Sequence, residues 1–362
     1  LLFKAGDVAA NRMSLRRFSE IYIPPRKLSI NSAVNTGVEQ SVSRRRSGST
    51  TRVILPVFPA RCQYSLSITA MLVSLFRLMS RLPLPILHSV GIALGWTVYL
   101  VSPSYRRRMK ENITRAGFSR HLHAAIGESG KSLMELPFLW CAPLDRVAES
   151  VTIEDWDLAL ELIDSGRGAI FLTPHLGCFE MLAQKVSTLR PLTVLYRPPR
   201  RAILQPLMEA GRTRPNLTLA PASLKGVRIM LRTLRNGQAI GLLPDQVPQG
   251  GEGAWADFFG KAAYTMTLPA RLHEMTQAPM MLAYALRRRR GKGYTMHFLP
   301  FAHSLAGTPE QQARAINAAM EEVIKHCPEQ YFWSYNRYKT PPGVTPPPDR
   351  QAQASDAQRT AA

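Results

Sequence analysis

The spacing of apolar residues changes several times along this chain, and each change marks a boundary. Met71-Leu72-Val73-Ser74-Leu75-Phe76-Arg77-Leu78-Met79 is amphipathic, and residues 82–101 then run for twenty positions without a formal charge. A run of that length matches the ~20 residues that cross a bilayer core as helix. Pro83, Pro85, His88 and two glycines interrupt it, so a buried or interfacial helix is the competing expectation. Arg106-Arg107-Arg108, shortly after the run, favours a membrane anchor whose C-terminal side faces the cytoplasm.

Further on, residues 112–139 mix polar and apolar positions as helices do, and 152–163 predicts a helix with an acidic first turn, closed by Ser165-Gly166-Arg167-Gly168. Short apolar runs then alternate with amphipathic stretches. Residues 169–172, 192–196 and 239–243 predict buried strands, and the stretches from Cys178 and over 227–234 predict helices. This alternation points to an α/β fold with a mainly parallel central sheet flanked by helices. Residues 280–286 and 294–299 predict an antiparallel extension, with Arg287-Arg288-Arg289-Arg290 and Gly291-Lys292-Gly293 as a solvated hairpin tip. Thr308-Pro309 opens a last helix whose inner face carries Ile316, Met320 and Val323.

Four regions follow: 1–70, a membrane-anchoring helical region over 71–110, a catalytic domain over 111–342, and a loose Pro-, Ala- and Gln-rich tail over 343–362. Residues 1–70 hold 11 Lys or Arg against 3 Asp or Glu and show neither helical nor strand period. Their composition suits a transit-type segment or an over-extended reading frame, and neither is expected to pack.

The chemistry concentrates in Thr173-Pro174-His175-Leu176-Gly177-Cys178-Phe179-Glu180, directly after the strand expected at 169–172. Open α/β sheets keep their reactive groups at that end of a strand. His175 is a candidate general base, and Glu180 a candidate orienter of its imidazole. Five residues of unbroken helix would turn these side chains about 140° apart, so the pairing needs the break that Gly177 permits. Cys178 suits packing rather than nucleophilic attack, because an acceptor hydroxyl can itself be the nucleophile.

Further blocks stand downstream: Tyr196-Arg197-Pro198, Gly211-Arg212-Thr213-Arg214-Pro215-Asn216, Leu224-Lys225-Gly226, Pro244-Asp245-Gln246, and a closing stretch from Pro328 through Tyr331-Phe332-Trp333 and Asn336-Arg337-Tyr338-Lys339 to Thr340. Together with the His175 block, and in this order and spacing, they resemble the bacterial lipid A biosynthesis lauroyl/myristoyl (late) acyltransferase family, over about residues 71–342. The resemblance implies a glycerolipid-acyltransferase-like sheet. It implies transfer of a fatty acyl chain, lauroyl or similar, from an acyl carrier protein thioester to a hydroxyl on an acyl chain of a lipid A precursor. It implies a cell inner membrane location with the catalytic domain on the cytoplasmic face, and His175 and Glu180 as the catalytic dyad, with no cofactor and no metal. Arg197, Arg212, Arg214, Asn216, Lys225 and Asp245 occupy matching blocks as substrate-binding candidates; the planar guanidinium suits phosphate better than an ammonium does. Asp245 is expected to pair with one of the arginines.

Charge narrows the partners. The formal net charge is +21, a field that attracts nucleic acid, an anionic membrane or an acidic protein. Basic clusters beside apolar segments, without a nucleic-acid docking module, favour the anionic inner membrane surface and the acidic carrier protein and exclude nucleic acid. Four cysteines without CxxC spacing give no metal or disulfide pattern. Two alternatives stay open from the residues: an acyltransferase for another glycolipid or glycerophospholipid, and a non-catalytic basic membrane adaptor.

Overall fold

The structure, a computed structural model, describes residues 60–197 and 205–347, with side chains from residue 70 onward. The segments 1–59 and 348–362, expected to stay out of the core, lie outside the described residues. Helix α1 (Ala60–Met79) begins eleven residues before the boundary expected at 71. Helix α2 (Leu84–Val101) takes up the uncharged run, with Pro85 in its first turn, where its missing N–H costs no hydrogen bond. Helices α3 (Pro103–Arg115), α4 (Leu122–Met134), α5 (Leu136–Cys141) and α6 (Leu144–Glu149) follow. The α2–α4 contact is built on glycine: a Cβ on Gly130 would lie 1.8 Å from the Gly91 carbonyl oxygen, so the two backbones touch directly.

A seven-stranded sheet occupies the centre. In chain order its strands are β1 (Val151–Ile153), β2 (Ala169–Leu172), β3 (Leu192–Tyr196), β4 (Leu217–Pro221), β5 (Ala239–Leu242), β8 (Met280–Arg287) and β9 (Tyr294–Pro300), and in space they run β1-β9-β8-β2-β5-β3-β4. Every neighbouring pair is parallel except β8 and β9, which form the expected antiparallel extension. The helices α7 (Trp156–Asp164), α8 (Phe179–Leu189), α9 (Gln205–Arg212), α10 (Leu224–Arg235) and α11 (Leu268–Thr276) are threaded between the strands, and α12 (Pro309–His326) follows the last of them. β2 and β5 are central and buried on both faces, which is why they read as continuous apolar runs. Ile170, Leu172, Ile240 and Leu242 pack into one layer with Met230 of α10 and Met320 and Val323 of α12. Ala169, Phe171 and Ala239 pack into the other with Met181 and Val186 of α8. A separate hairpin, β6 (Gly253–Phe258) with β7 (Lys261–Met266), rests on α12.

Two expectations fail for identifiable reasons. The stretch 152–163 is not one helix: Val151 to Ile153 pair with Tyr294 to Met296 of β9, and α7 starts only after Asp155, whose φ of 57° interrupts any helix. Arg287 is not part of a solvated tip. It ends β8 and is 6% exposed, because Glu135 and Glu128 converge on its guanidinium.

Candidate active site

β2 and β5 pair in register, Leu172 opposite Leu242, and both continue into a residue, a proline and then a polar side chain. Equal spacing beyond a parallel pair sets His175 beside Asp245 at the C-terminal edge of the sheet. The Asp245 carboxylate grips this residue twice. Its Oδ2 accepts from the His175 backbone N–H at 2.8 Å, and its Oδ1 lies 2.7 Å from Nδ1. An ionised carboxylate only accepts, so Nδ1 carries the proton and Nε2 bears the lone pair, which accepts from the Gln246 amide at 3.0 Å. Burial pushes the Asp245 carboxyl up, but His175 and the buried Arg337 outweigh it and hold the group below its ordinary range. The imidazole side chain is 15% exposed and its partner 1%, so the carboxylate is sealed while the ring keeps some access to the outside.

The turn after His175 is held from several sides. Gly177 has φ 58°, and a Cβ there would lie 2.0 Å from the Ala285 carbonyl oxygen, so the residue must be glycine on both counts. Its N–H donates to the Gln330 carbonyl, the Cys178 N–H to Ala285, and the Phe332 N–H to the His175 carbonyl. Arg287 donates from Nη2 to the Gly177 carbonyl at 2.8 Å and to Glu135 at 2.6 Å, so a buried ion pair backs the loop. Cys178 is buried, and burial together with Glu135 pushes its thiol well up, which leaves it a packing residue.

Glu180, expected against the imidazole, is turned elsewhere. It begins α8, and Arg212 at the end of α9 holds it in a two-point ion pair, Nε to Oε2 at 3.0 Å and Nη2 to Oε1. The Arg212 guanidinium also lies over the Tyr196 and Trp140 rings at 5.6 and 6.0 Å. No hydrogen bond or ion pair joins Glu180 to His175 among the described residues, so Asp245 takes the place expected for Glu180. Asp245 in turn pairs with histidine instead of an arginine.

The other candidates separate. Arg197 is exposed at the C-terminal end of β3, near Tyr335, on the edge that carries His175. Lys225 is exposed at the start of α10, after β4, which lies three strands from β2. Arg214 donates to the Leu139 and Thr213 carbonyls. The Asn216 carbonyl accepts from the Leu192 N–H at the opposite edge of the sheet from His175. Sequence reasoning had no role for Gln246, Glu135, Arg287 or Arg337. For Asp245 a signal existed: two buried runs ending alike, Leu172-Thr173-Pro174-His175 and Leu242-Leu243-Pro244-Asp245, mark strands that deliver paired groups.

A narrow apolar slot opens beside the imidazole, between α8 and the sheet. Phe171, Thr173, Phe179, Leu182, Val194 and Ala283 line it, with Gly241 in its floor. The Phe179 ring centroid is 4.7 Å from that of His175, so one wall of the slot packs against the imidazole.

Residues 60–340 match the family of bacterial lipid A biosynthesis acyltransferases. The chain is similar to the lipid A biosynthesis palmitoleoyltransferase of Escherichia coli strain K12, 25% identical over 275 residues, 72% of this chain and 88% of the relative. It is also similar to the lipid A biosynthesis lauroyltransferase of the same organism, 25% identical over 284 residues, 74% of this chain and 90% of the relative. A lipid A biosynthesis acyltransferase of Haemophilus influenzae is 30% identical over 181 residues, 48% of this chain and 55% of the relative. A match that spans most of the chain and includes the whole sheet, the His175 loop and the closing segment makes this chain a member of the bacterial lipid A biosynthesis acyltransferase family.

Proposed function

We propose that this acyltransferase moves a fatty acyl chain from an acyl carrier protein thioester to a hydroxyl on an acyl chain of a lipid A precursor, with His175 as general base and Asp245 as its orienter. The Asp245 contact to Nδ1 carries the proposal, since it leaves the lone pair on Nε2. In the reaction Gln246 yields its place on Nε2 to the acceptor hydroxyl. As that oxygen attacks the thioester carbonyl, its proton passes to Nε2, and the buried Asp245 carboxylate stabilises the imidazolium. The carbon–sulfur bond then breaks, and the departing thiolate takes the proton back from His175. No acyl-enzyme is needed, which agrees with the inert position of Cys178.

The apolar slot suits the donor's acyl chain. Gly241 supports this assignment: it sits mid-strand between Phe171 and Val194, yet is partly accessible. Glycine weakens a strand, and its presence there often marks a close approach by another group. Arg197 at the same edge suits the phosphates of the acceptor. Glu180 and Arg212 neutralise one another, so we assign them to holding the start of α8, and with it Phe179, beside the imidazole. We place the catalytic domain on the cytoplasmic face of the inner membrane, where the acidic carrier protein and the basic surface can meet.

The test is acyl transfer by purified protein from acyl carrier protein thioesters to a lipid A precursor, followed by mass spectrometry. His175→Ala should retain the native fold by circular dichroism and lose transfer. Near-normal turnover by that variant would refute the mechanism.

A further inference from the structure

Helix α2 is long and apolar enough to cross a membrane, yet it is attached to the folded body along its length. Before its first turn, Arg146 donates to the Ser80 and Leu82 carbonyls at 2.8 and 3.1 Å. At Pro85 the chain touches the 289–293 turn so closely that a Cβ on Gly291 would lie 2.6 Å from the Pro85 nitrogen. Midway, Gly91 and Gly95 meet the backbone of α4 around Gly130. Towards its end Trp96 lies 5.8 Å from the His123 ring. On the same stripe His88 is 3.6 Å from Glu135, which pairs with Arg287 of the sheet.

An upright α2 would therefore draw α4 into the hydrocarbon beside it, with Glu128 and Lys131, and Glu135 at its end. Ionised side chains at that depth are strongly opposed. The opposite stripe is apolar and bare. Met71, Leu75 and Leu78 on one face of α1, and Ile86, Val90 and Leu100 on one face of α2, are all exposed and make an apolar ridge on each helix. Arg77 on α1, Arg81 between α1 and α2, and Arg107 and Lys110 on α3 are exposed as well, a charge that complements anionic headgroups.

We propose that α1 and α2 lie in the plane of the membrane, with these ridges sunk into one leaflet of anionic phospholipid, and that α2 does not cross the bilayer. The proposal rests on the membrane-borne lipid substrate inferred above, but its test uses no activity, so the two can fail separately.

Nitroxide labels on single cysteines introduced at Leu78, Ile86, Val90 and Leu100 give the test. The full chain, with Cys62 and Cys141 changed to serine, is bound to vesicles of phosphatidylethanolamine and phosphatidylglycerol. Paramagnetic accessibility to oxygen and to a nickel chelate then reports depth. All four positions are exposed, so labelling leaves the packed stripe intact. An in-plane helix gives all four one shallow depth. A depth profile with Leu78 and Leu100 near opposite surfaces and Val90 deepest would overturn the proposal, and so would four labels that stay in water.

Discussion

Asp245 and Glu180 both lie near the His175 loop, and they differ in what they touch. Asp245 is bonded to both the backbone and the ring of His175, whereas Glu180 is spent on Arg212. Asp245→Asn should therefore keep the fold and lower turnover by roughly 10³- to 10⁴-fold, since an amide neither enforces the tautomer nor stabilises the imidazolium. Glu180→Gln should cost much less. Steady-state turnover of the two variants, compared at one pH, checks the order, and a larger loss for Glu180→Gln would return the orienting role to that residue. Among the arginines, Arg197→Ala should raise the acceptor KM by roughly ten- to hundredfold with kcat little changed, the mark of a lost charge-assisted contact. Arg214→Ala should leave that constant alone, because its guanidinium is bonded to backbone carbonyls. Gly241→Val should shorten the chain that is transferred without abolishing transfer. A Cβ at this position meets only a Val194 methyl at 3.2 Å, so added bulk goes into the slot. The mass distribution of the product, stepping down by methylene pairs, reads this directly.

Helices α4 and α5 are joined to β8 by a buried ion pair that responds to pH. Burial pushes the Glu135 carboxyl up, and Arg287 and His88 outweigh that effect, bringing its pKa from 4.5 down to about 2. A carboxyl whose folded pKa is depressed stabilises the fold fully above its unfolded value and loses that contribution as the pH falls through the folded one. Stability should accordingly drop between pH 4.5 and about 2, by on the order of 3 kcal/mol from this group. Glu135→Gln should be less stable near neutrality and should show a flatter acid dependence, as measured by urea unfolding across that range. Arg287→Met should destabilise by roughly 3–5 kcal/mol, the usual result of leaving one partner of a buried pair alone. It should also lower kcat more than it raises KM, because the Gly177 carbonyl loses its donor.

For the whole molecule, the described residues and the family match both start at residue 60. A chain trimmed to 60–362 should keep its melting temperature and its transfer activity, whereas trimming at 71 removes half of α1 and should lower both. Much of this body was legible in the sequence, because local pattern was enough. Buried runs such as 169–172 and 239–242 are central strands, Thr308-Pro309 caps a helix, and His175 after a strand and before a glycine turn stands at the reactive edge. Local pattern could not say which carboxylate would reach the imidazole. Glu180 is five residues away along the chain and Asp245 seventy, but the strand pairing of β2 with β5 brings Asp245 to 2.7 Å. The same holds for Arg287, which stood in a run of four arginines and looked solvated until Glu128 and Glu135 folded onto it, and for α2, whose apolar length suits a span while its glycines bind it to α4. Composition and period determine which segments bury and which residues can do chemistry. Partners, and therefore ionisation and orientation, depend on groups distant in sequence, and only the tertiary structure decides those.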